Sequence, residues 1–189
     1  MKKSRTETAE TRRRIVESAS KRLILKGIEG AGLNDLMAEA GLTRGGFYRH
    51  FASKDQLVAE ACTFGLQSTI HRSGASAGGE TPAEAFAAIV NAYLSPEHRD
   101  NRAGGCPFAG LGSELARSGG ETRNAAARGF ERLAGALEAH LPGPPERARA
   151  QAAYTLSAMA GALTMARMVD DPVLSDTILS EARKRLVDG

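Results

Sequence analysis

The chain has 189 residues, 42% hydrophobic and 25% charged, with 25 Lys+Arg against 22 Asp+Glu. A chain of this size, read as one large domain or two small ones, buries well over half of its unfolded surface and needs no disulfide or metal staple. No apolar run approaches the ~20 residues that span a bilayer, and no apolar signal core follows Met1-Lys2-Lys3, so no membrane association and a cytoplasmic location are expected.

Residues 1–9 are polar and read as a frayed start. A first helix is predicted from about Thr8 to Lys26, with Ile15, Val16, Ala19, Leu23 and Leu25 as its apolar stripe and Gly27 as its stop. A second helix is expected over about Leu33–Ala40, capped only by Gly32, which offers no side-chain oxygen. Gly41 makes a tight turn into a short third helix, about Arg44–His50, with Thr43 at its cap. Ser53 caps a long fourth helix, and Asp55 suits its positive end.

Across these helices Leu36, Met37, Ala40, Leu42, Phe47 and Phe51 fall on an inward stripe. Thr43, Arg44, Tyr48, Arg49, His50 and Lys54 are left facing outward. A tight turn with a basic and aromatic outer face is how a helix-turn-helix offers its second helix to the DNA major groove. The charge agrees: residues 1–55 hold 12 Lys+Arg against 7 Asp+Glu, and residues 56–189 hold 13 against 15. The basic end is therefore the motif end, which points to an anionic partner there. Arg44 is the best candidate for a base contact, because its planar fork bonds guanine bidentately. Thr43 is suited to a base edge or a thymine methyl.

The motif residues Asp35-Leu36-Met37, Ala40-Gly41-Leu42-Thr43, Gly45, Phe47-Tyr48, Phe51 and Ser53-Lys54-Asp55-Gln56-Leu57 resemble the DNA-binding signature of TetR/AcrR-family transcriptional regulators. The resemblance implies that Tyr48, His50 and Lys54 touch phosphates and that Gly45 lets bare backbone press on DNA. Gly32 departs from the Ser or Thr usual in the family, so a phosphate contact there falls to backbone N–H groups or Asn34. Arg49 is instead a candidate to pair with an acid of the first or fourth helix.

Downstream, the fourth helix is expected to continue past Phe64 towards His71, with Ser73–Gly79 as a small-residue linker. Further helices are predicted over about Pro82–Leu94, Pro107–Ala116, Glu121–Leu141, Pro145–Met168 and Val173–Val187, with Ser95–Ala103 a polar loop. The fold class is thus all-α with about nine helices. A three-helix DNA-binding domain (1–55) precedes a helical ligand-binding and dimerisation domain (56–189). By resemblance the last two helices, about 145–168 and 173–187, form a homodimer that reads a palindromic operator. Ala148, Ala152, Ser157, Gly161 and the row Leu174, Ile178, Ala182, Leu186 are the candidate contacts.

The family habit further implies repression relieved by an unknown small-molecule effector. Pocket candidates are Phe64, Phe86, Tyr93, Cys106, Phe108, Tyr154, Met159 and Met165. Gly105-Cys106-Pro107-Phe108 resembles a subgroup with a Gly-Cys pair at a mid-domain helix start, some of whose members respond to electrophiles or oxidants. A helix N-terminus there is expected to lower the Cys106 thiol pKa; a small buried residue fitting a tight helix start is the other reading. Cys62 is expected to be inert. The cysteines and the histidines His50, His71, His98 and His140 lack metal-ligand spacing, and no nucleophile elbow, P-loop or complete dinucleotide fingerprint occurs. No cofactor, no metal and no catalysis are expected. The alternative is a helical ligand-binding protein without specific DNA function.

Overall fold

The computed structural model describes residues 5–188. Its described residues form ten helices and no strand: α1 (Arg5–Gly30), α2 (Leu33–Glu39), α3 (Arg44–Phe47), α4 (Lys54–Ser76), α5 (Pro82–Tyr93), α6 (Pro96–Asp100), α7 (Pro107–Arg117), α8 (Gly120–Glu138), α9 (Pro145–Met168) and α10 (Pro172–Val187). Five of them, α5, α6, α7, α9 and α10, begin on a proline. Proline presets the helical φ where its missing N–H costs nothing, and the starts of α5, α7 and α9 fall on the prolines expected from the sequence.

Three stretches differ from the expected pattern. Residues 5–9 are helical rather than frayed, while residues 1–4 lie outside the described residues. The α4 helix runs through Ser73 and Gly74 to Ser76; a single glycine there costs only about 1 kcal/mol relative to alanine and does not end it. The stretch Ser95–Ala103 is not all loop. It contains α6, where Pro96 starts the helix and the Ser95 hydroxyl accepts from the His98 N–H.

The apolar stripes close over one core. Ile15, Ala19, Leu23, Leu36, Met37, Phe47, Phe51 and Leu57 are buried in its first part, and Phe86, Ile89, Val90, Leu115, Leu133, Leu156, Met159 and Leu163 in the rest. Leu25 does not join the α1 stripe and is 53% exposed. The long α4 is the spine, packing most extensively on α8 and next on α1. Gly65 permits close approach of α4 to α1 and to α7. A Cβ there would lie 2.7 Å from Pro107 Cγ of α7 and 2.9 Å from Ser20 Oγ of α1.

Candidate nucleic-acid interface and body cavities

The turn between α2 and α3 has a specific local cause. Gly41 takes φ 72°, its N–H donates to the Ala38 carbonyl at 2.9 Å, and the Leu42 N–H donates to the Met37 carbonyl at 2.9 Å. This Schellman arrangement needs a left-handed residue at that one position, which glycine supplies without strain. The chain then turns straight into α3. Thr43 occupies the cap position, but its hydroxyl makes no capping bond.

Around α3 the inner face is aromatic and the outer face open. Phe47 and Phe51 are buried, their rings stacked with centroids 5.5 Å apart, while Tyr48 is 69% exposed. Thr43, Arg44, Gly45 and Arg49 are exposed, and His50 and Lys54 are half-buried. A Cβ at Gly45 would meet only Thr43 Oγ1 at 4.0 Å, and one at Gly46 only Met37 Cε at 3.9 Å. Both distances are ordinary contact, so close helix packing does not explain either glycine.

Two arginines of α1 hold this unit, and sequence reading missed both. The Arg12 guanidinium pairs bidentately with Glu60 of α4, its Nε donates to the His50 carbonyl at 3.2 Å, and it lies 4.5 Å from the Phe51 ring centroid. Arg22 pairs with both Asp35 and Glu39 of α2, and these carboxylates raise its pKa, Glu39 foremost. The expected pairing of Arg49 with an acid of α1 or α4 is not found. Among the described residues Arg49 and Arg44 take part in no ion pair. Arg12 takes that role because it approaches Glu60 from within the α1–α4 packing. The only available signal was the run Arg12-Arg13-Arg14 on a helix whose neighbouring positions are apolar.

Lys54 is not a free cation. Its Nζ donates to the Ile28 carbonyl at 2.8 Å, tying the start of α4 to the end of α1. That end is unusual: Gly27 breaks the helix at φ 77°, ψ 167°, and Glu114 of α7 accepts from the Ile28 N–H at 2.6 Å. Asp55 likewise serves another element. Its carboxylate accepts from the Glu121 N–H at 3.1 Å and from the Thr122 hydroxyl, both at the N-terminus of α8. Free N–H groups and the positive pole of a helix start are favourable partners for a carboxylate. The end of α1 and the start of α4, which follows the reading helix, are thus fastened to α7 and α8 through Glu114, Lys54 and Asp55.

The pocket candidates are not gathered into one site. Tyr93 lines a half-open cavity of about 370 Å³ with Thr69, Arg72, Ser73, His98 and Asn101, between the end of α4, α5 and α6. Met159 meets Tyr93 only in a narrow apolar gap of about 10 Å³ with Ile89, Leu133 and Leu156. Phe86 lines a separate groove of about 770 Å³ with His140, Leu141, Arg147 and Leu186. Phe108 packs edge-on against Phe130 at 6.0 Å, and Phe64 is half-buried against the core. Tyr154 and Met165 are on the surface, at 63% and 43% exposure, because they lie on the outward side of α9.

The expectation for the Cys106 thiol is reversed. Cys106 does stand at the N-cap of α7, but it is fully buried, and desolvation raises its pKa above the ordinary value. Loss of water disfavours the thiolate more than the helix start favours it. Cys62 is also buried, its thiol pushed up to about 12, chiefly by desolvation. His98, which sequence reading left unassigned, lies between Cys106 and this cavity. Its Nδ1 lies 2.6 Å from the Tyr93 carbonyl and its Nε2 accepts from the Cys106 N–H at 3.2 Å. Only the neutral Nδ1–H tautomer satisfies both bonds. Its pKa falls to about 4, through desolvation first, with the Arg167 and Arg72 charges adding to the fall.

The last two helices present an apolar face. Tyr154, Met165 and Met168 of α9 and Val173, Leu174 and Val187 of α10 are six of the eight exposed large hydrophobics among the described residues. The α10 row divides: Leu174 is 47% exposed, whereas Leu186 is 8% exposed and belongs to the core. On α9, Ala148 and Ala152 also face the core, while Ser157 and Gly161 are exposed beside Tyr154.

Residues 15–61 match the family model described as bacterial regulatory proteins, tetR family. Residues 82–174 match the model described as transcriptional regulator LmrA/YxaF-like, C-terminal domain. The uncharacterized HTH-type transcriptional regulator Rv0196 of Mycobacterium tuberculosis is 25% identical over 93% of this chain and 94% of its own length. The HTH-type transcriptional regulator TtgR of Pseudomonas putida is 36% identical over 58 residues, 31% of this chain and 28% of TtgR. A TetR-family transcriptional regulator from Cytophaga hutchinsonii superposes with a TM-score of 0.82 at 20% identity, covering 99% of this chain and 98% of that one. At that identity the superposition speaks to the fold alone.

Proposed function

Since the chain belongs to the TetR family of bacterial DNA-binding transcriptional regulators, we propose that it is a cytoplasmic homodimeric repressor released from a palindromic operator by a small-molecule effector. On this reading residues 1–55 are the DNA-reading domain and residues 56–189 the regulatory and dimerisation domain. The protein acts by binding rather than catalysis.

The observation that carries the reading is the outer face of α3. Arg44 of α3 and Tyr48 at its C-cap stand exposed over an inner side locked by Phe47 and Phe51, beside a glycine with no internal packing role. Arg44 reads a base, Thr43 a base edge or methyl, and the bare backbone at Gly45 approaches the phosphates. Tyr48 and His50 fix register on the phosphates. Lys54 reaches a phosphate by exchanging the Ile28 carbonyl for it. The apolar α9–α10 face supports a C2 dimer, which places two reading helices one DNA turn (about 34–36 Å) apart or a multiple of it. The fastening through Glu114 and Asp55 supports a switch in which movement of α4, α7 or α8 resets that spacing.

A gel-shift titration with duplex DNA from the neighbourhood of its own gene tests the proposal. The wild type is expected to prefer one duplex over random sequence. Arg44→Ala is expected to lose about 1–3 kcal/mol of that preference per half-site. Indifference to every duplex at low salt would leave only the ligand-binding alternative.

A further inference from the structure

One peptide unit at the end of α1 stands between two charges from other helices. Its N–H, that of Glu29, donates to the Glu114 carboxylate of α7 at 3.4 Å, and its carbonyl, that of Ile28, accepts from the Lys54 ammonium of α4 at 2.8 Å. The same carboxylate oxygen accepts more closely from the preceding N–H, that of Ile28, at 2.6 Å. A trans peptide points its N–H and its carbonyl in opposite directions, so carboxylate and ammonium flank it. Both side chains are half-buried, and neither makes a direct ion pair among the described residues. Each charge polarises the peptide towards the other, which strengthens the Lys54 bond.

The chain is shaped around this contact. Gly27 takes φ 77°, and a Cβ there would lie 2.7 Å from Glu114 Oε1, so glycine supplies both the turn and the room. The α7 helix sits on α1 without slack, since a Cβ at Gly110 would lie 2.9 Å from Ile24 Cγ2. It is also held by the body. The Cys106 N–H donates to His98 Nε2 at 3.2 Å, and the Thr164 hydroxyl of α9 donates to the Ala109 carbonyl at 2.9 Å. Glu114 thus joins a helix seated in the body to the ammonium at the start of α4.

We propose that Glu114 is a positioning residue for DNA binding, which holds the Lys54 ammonium on the Ile28 carbonyl and so restrains the duplex affinity of the reading unit. This rests on the reading that Lys54 exchanges that carbonyl for a phosphate. Whatever stabilises the Lys54–Ile28 bond in the free protein competes with the exchange, so Glu114 opposes duplex binding from outside the interface. The opposition is the same for every sequence, because phosphates carry no sequence information. Withdrawing the carboxylate with α7 raises affinity, and seating it lowers affinity.

Titrations of the full-length protein with a random-sequence duplex at low ionic strength, followed by fluorescence anisotropy, test the hold. Glu114→Ala is expected to bind at least about threefold tighter than wild type. Glu114→Gln, which keeps an acceptor and loses the charge, is expected to fall between them. Removing a negative charge favours DNA by itself, so the gain is measured again in the Lys54→Ala background, where it should shrink below about 1.5-fold. An equal gain in both backgrounds would reduce the effect to net charge and overturn the proposal, as would no gain in Glu114→Ala. Lys54→Ala binding as tightly as wild type would instead remove the phosphate reading of Lys54, and the hold with it. Weaker binding by Lys54→Ala with no gain in Glu114→Ala would remove the hold alone. Acetylation by an N-hydroxysuccinimide ester, read by peptide mass, follows the ammonium without DNA. Lys54 should react at least about threefold faster in both Glu114 variants, with exposed Lys21 and Lys184 unchanged. Unchanged Lys54 reactivity would also overturn the proposal. A rise at all three lysines in Glu114→Ala marks a lost fold, and Glu114→Gln then decides.

Discussion

His98 makes acid stability the sharpest quantitative test of the body. Its neutral ring bridges the Tyr93 carbonyl and the Cys106 N–H, and Arg72, Arg167, Tyr93 and exposed Glu97 surround it. Protonation would turn Nε2 from acceptor to donor against an N–H, beside two guanidinium groups. The folded pKa is about 4 against 6.5 for the free side chain. Between these values the unfolded chain binds a proton that the native state does not, so stability falls as pH falls. The loss begins near pH 6.5 and levels off below pH 4. From pH 7 to pH 5 it amounts to about 2 kcal/mol for this residue. Urea denaturation at pH 7, 6 and 5 measures it, at constant ionic strength. The interval stays above the carboxylate range, so Glu84 and Asp100, whose pKa values are already lowered, contribute little. His98→Gln should be less stable at pH 7 but should lose most of the dependence between pH 7 and pH 5. A wild-type midpoint that stays flat over that interval, or an equal slope in His98→Gln, would refute the buried neutral bridge.

The remaining expectations concern the reading unit and the dimer. Arg12→Ala removes a partly exposed bidentate pair, a bond to the His50 carbonyl and a cation–π contact, so it should cost about 2 kcal/mol in a denaturant titration. It should also weaken specific duplex binding, because the α3–α4 corner loses its clamp; full DNA affinity in this variant would show that the clamp is only structural. Lys54→Ala should weaken specific and random duplex binding alike and flatten the salt dependence by about one unit per lost phosphate contact in each subunit. An unchanged slope would leave Lys54 as nothing more than the tether to Ile28. Met168→Glu, at a position 67% exposed, should shift sedimentation towards monomer without lowering helicity; a dimer as tight as wild type would place the subunit interface elsewhere.

Much of this architecture was written locally. Gly41 dictates its own turn, prolines open five helices, and Thr81 with Glu84 forms a capping box that starts α5. Phe47 and Phe51 had to be core once their helical spacing was set against the polar residues between them. These features depend on neighbours within a few residues, where backbone sterics and capping act, so the all-α fold, the helix-turn-helix and the outward Thr43–Tyr48 face were legible from the chain alone. Contacts between distant segments were not. Nothing near Arg12 announces Glu60, nothing near Ile28 announces Glu114, and nothing near Asp55 announces Thr122, because each pair meets only when α1, α4, α7 and α8 have packed. The same holds for chemistry set by burial. Cys106 at a helix start reads as an acidified thiol until the surrounding helices exclude water and reverse the sign. Local pattern determined which segments are helices and which faces are apolar; tertiary packing alone decided which charges meet and which groups lose their solvent, since those energies depend on distance and desolvation rather than on sequence spacing.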